Sequence, residues 1–317
     1  MSHGMVRAVL GSAVYPASMA AAVGAVCAAM DAGIESGLAV GAVNVTALLV
    51  VLGLERALPY RAAWNRGFGD VRTDVLHAVL NGAAGEVGRV ATVAGLTFVS
   101  VRLSAALGTG LWPSRWPLAA QLALALPLAE LGVYWLHRLE HRGGFLWRLH
   151  AVHHSAPRLY CLNSARNHPI DAALSLALLV APLVLLGAGE RVLSVAMVVW
   201  AVHALFQHAN VDVRLGPLNW MLSMAQVHRW HHSRRIDEAN ANYGQTLLVW
   251  DLVFGTRRVP EGREPPEDVG LPDLPSYPTG WLGQVASPFD RALWAAEGHA
   301  RAGSELPPRE EGSSAEP

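Results

Sequence analysis

Six apolar runs separated by short polar breaks organise the chain up to Phe206. The first, about Val14 to Met30, is rich in Ala and Gly and stops at Asp31. The second, Gly37 to Leu54, carries no charge and ends at Glu55-Arg56, and the third, Val90 to Leu107, contains Arg102. The fourth, Pro117 to Leu136, holds a single acid, Glu130. The fifth and sixth, Ala172 to Leu186 and Val192 to Phe206, read as a hairpin that turns through Gly187 to Glu190. A helical crossing needs about 20 apolar residues. The pattern therefore predicts an integral membrane protein with about four to six membrane segments, the last two being short enough to dip into the bilayer or pack as buried core instead. Pro16 and Ser18 interrupt the first run and a second run follows at once, which argues against a cleaved leader.

Arginine placement orients the bundle. Arg56, Arg61, Arg66 and Arg72 follow the second run, and Arg138, Arg142, Arg148, Arg158 and Arg166 follow the fourth. A third basic stretch, Arg229 to Arg263, lies beyond the sixth, whereas the opposite loops offer little more than Arg115 and Arg191. By the positive-inside rule these stretches are cytoplasmic, in a bacterium facing in from the inner membrane, and this holds for all of them only if the third run crosses. We read residues 1–301 as one membrane-embedded domain. Residues 1–116 form N-terminal membrane helices, 117–258 a histidine-rich region, and 259–301 a Pro-rich strap with a short helix. The polar segment 302–317 is expected to be disordered.

Composition narrows the chemistry. The chain is 52% apolar and 15% charged, below the roughly 25% usual in soluble domains, and its net charge is −1. Such a balance excludes an electrostatic nucleic-acid binder. There is no lysine, which removes Schiff-base and lysine-base mechanisms, and Cys27 and Cys161 are too few for a disulfide framework or a cysteine zinc site.

Fourteen histidines are the unusual feature, and all but His3, His77 and His299 fall between positions 137 and 232. They form an HxxxH (His137, His141) and two HxxHH clusters (His150, His153, His154 and His228, His231, His232), with His168, His203 and His208 between them. At about 100° per helical residue, positions i, i+3 and i+4 share one arc, so each cluster aims its imidazoles at one place. Neutral imidazole is the commonest metal ligand. Eight such side chains exceed the four to six ligands of one first-row ion, so two metals is the simplest count. The isolated His3, His77 and His299 read as ordinary core or interfacial residues. One competing reading remains open: His137-Arg-Leu-Glu140-His141 spells the HxxEH of inverted zinc peptidases, with Glu140 as the base of a membrane zinc hydrolase.

Taken together, ERALPY (55–60), YWLHRLEH (134–141), FLWRLHAVHHS (145–155), SARNHP (164–169), FQHANV (206–211), VHRWHHS (227–233) and NYGQTLLVWDLVFGT (242–256) resemble the fatty acid hydroxylase/sterol desaturase superfamily of membrane-bound di-iron oxygenases, over roughly Leu54 to Phe289. The resemblance implies an all-α membrane helical bundle whose cytoplasmic helical cap holds two iron ions, which zinc can replace in preparations, with O2 as cosubstrate. It implies hydroxylation or desaturation of a membrane lipid such as a fatty acyl chain or sterol, with electrons from a cytochrome b5- or ferredoxin-type donor. By the same resemblance His137, His141, His150, His153, His154, His228, His231 and His232 are ligands, with His208 as a ninth and His203 as a further candidate. His168, Glu140, Asp251 and Asn242, and also Asp212, are expected behind the ligands or beside the substrate. The His168-Pro169 step is nearer to sterol-desaturase-type members than to the ether-lipid branch.

Overall fold

The structure is a computed structural model that describes residues 3–108, 110–271 and 274–295. His299 and the 302–317 tail lie outside the described residues. All regular structure among the described residues is helical, and extended backbone pairs only as isolated bridges, Pro59 with Val211, Leu222 with Leu247 and Ser233 with Val269. Seven helices come first: α1 (His3–Asp31), α2 (Ser36–Ala57), α3 (Val71–Leu107), α4 (Leu118–Glu140), α5 (Gly144–His154), α6 (Pro169–Leu186) and α7 (Glu190–His208). Short cap helices follow: α8 (Ala225–His231), α9 (Ile236–Ala239), α10 (Val249–Val253), α11 (Trp281–Ala286) and α12 (Arg291–Trp294). All of α2, α3, α4, α6 and α7, and α1 from Arg7 onward, are long and apolar enough to cross a membrane. The chain is a multi-pass membrane protein.

Local signals explain the helix limits. The Glu35 carboxylate accepts the free N–H groups of Gly37 (2.9 Å) and Leu38 (2.8 Å), capping α2. Pro169 opens α6, where its missing N–H costs nothing. Gly187 closes that helix at φ 82°, a left-handed conformation natural to glycine, and α7 starts at Glu190 as the hairpin reading expects.

The third crossing begins far earlier than Val90. At 37 residues α3 is about 55 Å long, well beyond a hydrocarbon core of about 30 Å. Its first turns are too polar for a hydropathy reading to claim, yet Asp74, His77 and Asn81 recur along one helical face and are buried against the cap. His77 meets Gln284 of α11 (2.9 Å), so the strap closes over this extension, and His77 is the core residue expected.

Two apolar cores hold the spans together. Val26, Val51, Val195, Val202 and Phe206 join α1, α2 and α7, while Ala125, Ala129, Leu183 and Ala196 join α4, α6 and α7. Leu38, Leu49, Val87 and Phe98 instead face outward, a surface that lipid covers. At the end of the bundle away from the histidines Arg191 pairs with Asp31 (2.5 Å); at the near end Arg7 of α1 pairs with Asp212 of the cap (3.1 Å).

Candidate metal centre

Four helix ends meet in the cap. The last turn of α4 presents His137 and leads to His141, α5 presents His150, His153 and His154, and α7 ends on His208. Helix α8 carries His228 and His231 and is capped by His232. All are buried except the half-buried His137.

The rings sort into two sets, each with ligand nitrogens within 4.8 Å of one another: His137, His141, His150, His154 and His231, and then His153, His208, His228 and His232. Each i, i+4 pair (137/141, 150/154, 228/232) stays within one set. The middle histidine of each HxxHH, His153 or His231, turns to the other set. A cluster therefore does not aim at one place, because i+3 and i+4 diverge by about 100° around the helix. The two boxes interlock, and His154 stacks on His232 with ring centroids 4.4 Å apart.

Hydrogen bonds behind the rings orient them. Carbonyl oxygens accept from Nδ1 of His137 (Tyr243, 2.8 Å), His231 (Ala241, 2.8 Å) and His153 (Arg166, 3.1 Å). A carbonyl only accepts, so the proton sits on Nδ1 and Nε2 keeps its lone pair. The Nε2 atoms of His137, His141, His150, His154 and His231 are buried without any partner. Five convergent buried nitrogens without a partner, most of them lone pairs, are costly unless a cation lies between them. The donor set thus fits a metal. Burial, reinforced by neighbouring imidazoles, holds His141, His153, His154, His228 and His232 well below the ordinary histidine range and brings His231 down to about 3, so these rings are neutral at pH 7.

The expected supporting residues divide. Glu140 lies behind His150, 3.2 Å from Nδ1, on the side away from the convergent nitrogens, which is the wrong place for the base of an HxxEH hydrolase. Asp251 touches no imidazole. Its oxygens accept the N–H groups of Tyr243 (2.8 Å) and Gly244 (2.7 Å) and so fix the carbonyl on which His137 rests. Asn242, at φ 58°, locks the same turn to Arg258 with two hydrogen bonds.

Three of the expected residues have other partners. His203 joins neither set, for its Nδ1 meets the Tyr15 hydroxyl (2.8 Å) and its Nε2 the Ser223 carbonyl (3.1 Å). His168 caps α6 through Ile170 N–H and reaches the Val285 carbonyl, tying the strap to the helix. Asp212 is engaged by Arg7 and Arg214. Sequence reasoning missed Asp171, 3.1 Å from His150 Nδ1, Asn163, 3.0 Å from His208 Nδ1, and Asn240, 3.1 Å from His141 Nδ1. Asp171 stood in view as an acid in the first turn after His168-Pro169; the two asparagines carried no signal.

A cavity of about 290 Å³ opens beside the rings. His137, His150, His153, His208 and His228 form one end, and Val133, Leu176, Leu179, Met197, Trp200, Ala201 and Ala204 of α4, α6 and α7 form apolar walls.

A family model for fatty acid hydroxylases matches residues 122–256, the stretch that contains every one of these rings. The ornithine lipid hydroxylase OlsE of Rhizobium tropici is 38% identical over 253 residues, covering 78% of this chain and 75% of that protein. Alkylglycerol monooxygenase of Danio rerio is 33% identical over 152 residues, 46% of this chain and 31% of that protein. Methylsterol monooxygenase 1 of Rattus norvegicus is 28% identical over 125 residues, 39% and 41% respectively. No solved structure matches. The extent of the first of these similarities and the family match over the histidine region together place the chain in the fatty acid hydroxylase family.

Proposed function

We propose that this protein is a di-iron oxidoreductase that uses O2 to hydroxylate a membrane lipid, with two electrons from an external donor of the cytochrome b5 or ferredoxin type. One observation carries the reading: nine imidazoles in sets of five and four meet at the end of a mostly apolar cavity walled by membrane helices. Bound iron supplies the electron chemistry that O2 requires, which zinc, lacking redox states, does not. The nine rings would hold two such ions, and His203 is left out of the set.

The chain's own part is positioning and exclusion of water. The carbonyls of Tyr243, Ala241 and Arg166 keep the ring nitrogens aimed inward. Leu179, Met197 and Trp200 make an apolar wall along which a lipid reaches the centre without leaving the bilayer. The arginine-rich ends support a cytoplasmic position for this centre.

The relatives named above are hydroxylases and monooxygenases, which favours insertion of oxygen over desaturation. An ornithine lipid is the first substrate to test, ahead of the sterol to which His168-Pro169 pointed, because that relative matches over most of its length. A zinc hydrolase is disfavoured by the position of Glu140 behind His150.

Iron-loaded protein, supplied with a reductase and isotopically labelled O2, is incubated separately with an ornithine lipid, an alkylglycerol and a methylsterol. The expected product gains one labelled oxygen atom. Turnover of a lipid ester or amide without O2, or no label in any lipid, would overturn the reading.

A further inference from the structure

The two ring sets differ in what stands behind them. Among the described residues the outer nitrogens of His137, His153 and His231 rest on backbone carbonyls, and those of His141 and His208 on the side-chain oxygens of Asn240 and Asn163. His150 alone faces carboxyl groups: Asp171 at 3.1 Å and Glu140 at 3.2 Å, both buried and sharing a hydrogen bond with each other. Asp171 is fixed from the other side by the Ser175 hydroxyl, which donates to its second oxygen at 3.4 Å. In the four-ring set the Nδ1 atoms of His228 and His232 are buried without a partner.

A carboxylate behind an imidazole raises its basicity and locks its orientation, whereas a carbonyl or an amide gives orientation with less charge. We propose that Asp171, together with Glu140, is a positioning residue that makes the two metal positions unequal, strengthening the five-ring position through His150. The four-ring position, with one imidazole fewer and two rings unbraced, is then the weaker one. This inference rests on the two-metal reading above.

The test follows iron in the full-length protein in detergent micelles by timed release to a chelator and by Mössbauer spectroscopy. Wild-type protein is expected to show two iron populations released in a slow and a fast phase. Asp171→Asn should accelerate the slow phase by about 10- to 100-fold and shift one Mössbauer population only. Asp171→Glu, which restores the charge, should bring the slow phase back, and Asn163→Leu should accelerate the fast phase alone. Should Asp171→Asn fail to fold, the wild-type release curve and spectrum still decide. Two equivalent irons in wild-type protein, or equal acceleration of both phases by Asp171→Asn, would overturn the inequality while leaving the two-metal reading intact. Wild-type protein that binds no iron would overturn both.

Discussion

His208 and His228 bring their Nε2 atoms to within 3.0 Å of each other, and His232 brings its own to 2.9 Å from that of His228. The proton of His208 is on its other nitrogen, because Nδ1 faces the oxygen of Asn163, whose amide nitrogen is committed to the Arg158 carbonyl. The inward nitrogen of His208 is therefore a lone pair. Adjacent ligands at about 2.1 Å from one ion, at right angles, would stand about 3.0 Å apart. The spacing of these rings is that of a coordination shell.

Removing one ring from each set should separate the two positions. His228→Ala and His231→Ala are each expected to hold about one iron where wild type holds about two, and His203→Ala to keep both. Elemental analysis of purified protein reads this directly. Two irons in either ligand variant would break the grouping.

Much of this centre was legible because the box spacing is local. Helical geometry alone brings 137 to 141, 150 to 154 and 228 to 232. The assignment of His153 and His231 to opposite sets was not legible, since it depends on how α5 and α8 dock. Asn163, in a short 3-10 turn, and Asn240, just past α9, are remote in sequence from the rings they brace, and nothing in their neighbours marks them. The polar half of α3 failed a hydropathy reading because its buried face is built of Asp74, His77 and Asn81, and Asp74 meets Arg166 at 2.5 Å. His203 misled for the opposite reason: it sits on a helix near the boxes, but both of its nitrogens are satisfied elsewhere.

Acid should destabilise the metal-free protein. The folded-state values of His141, His153, His154, His228, His231 and His232 lie below the unfolded value of about 6.5, so the unfolded chain takes up protons first as pH falls. The stability these rings contribute is complete above about pH 6.5 and declines below it. Iron competes with the same protons, so the loaded protein should keep its melting temperature to lower pH and then release metal. Thermal melts of both forms between pH 8 and pH 5 check this, and a flat metal-free profile would contradict it.

The turn whose Tyr243 carbonyl braces His137 should be intolerant of change. A Cβ at Gly244 would sit 2.2 Å from the Leu247 carbonyl oxygen and 2.9 Å from an Asp251 oxygen, so Gly244→Ala must displace backbone at a cost of about 1–3 kcal/mol. Asp251→Asn turns an amide N–H toward a backbone N–H and costs a comparable about 1–3 kcal/mol. Both variants should melt earlier in detergent and retain less iron at the five-ring position. Normal iron content in both would show that the Tyr243 carbonyl does not govern His137.

Access to the centre should be separable from its assembly. Ala201 and Ala204 lie about one turn apart on α7, and both line the cavity without themselves offering a ligand atom. A leucine at position 204 would fill space that a lipid must occupy and displace the reacting carbon from the rings. A misplacement of 1 Å costs about 100-fold in rate. Ala204→Leu is thus expected to keep about two irons and wild-type thermal stability while losing about 100-fold in lipid hydroxylation, with Ala204→Gly near wild type. Undiminished turnover by Ala204→Leu would mean that the substrate reaches the imidazoles by another route.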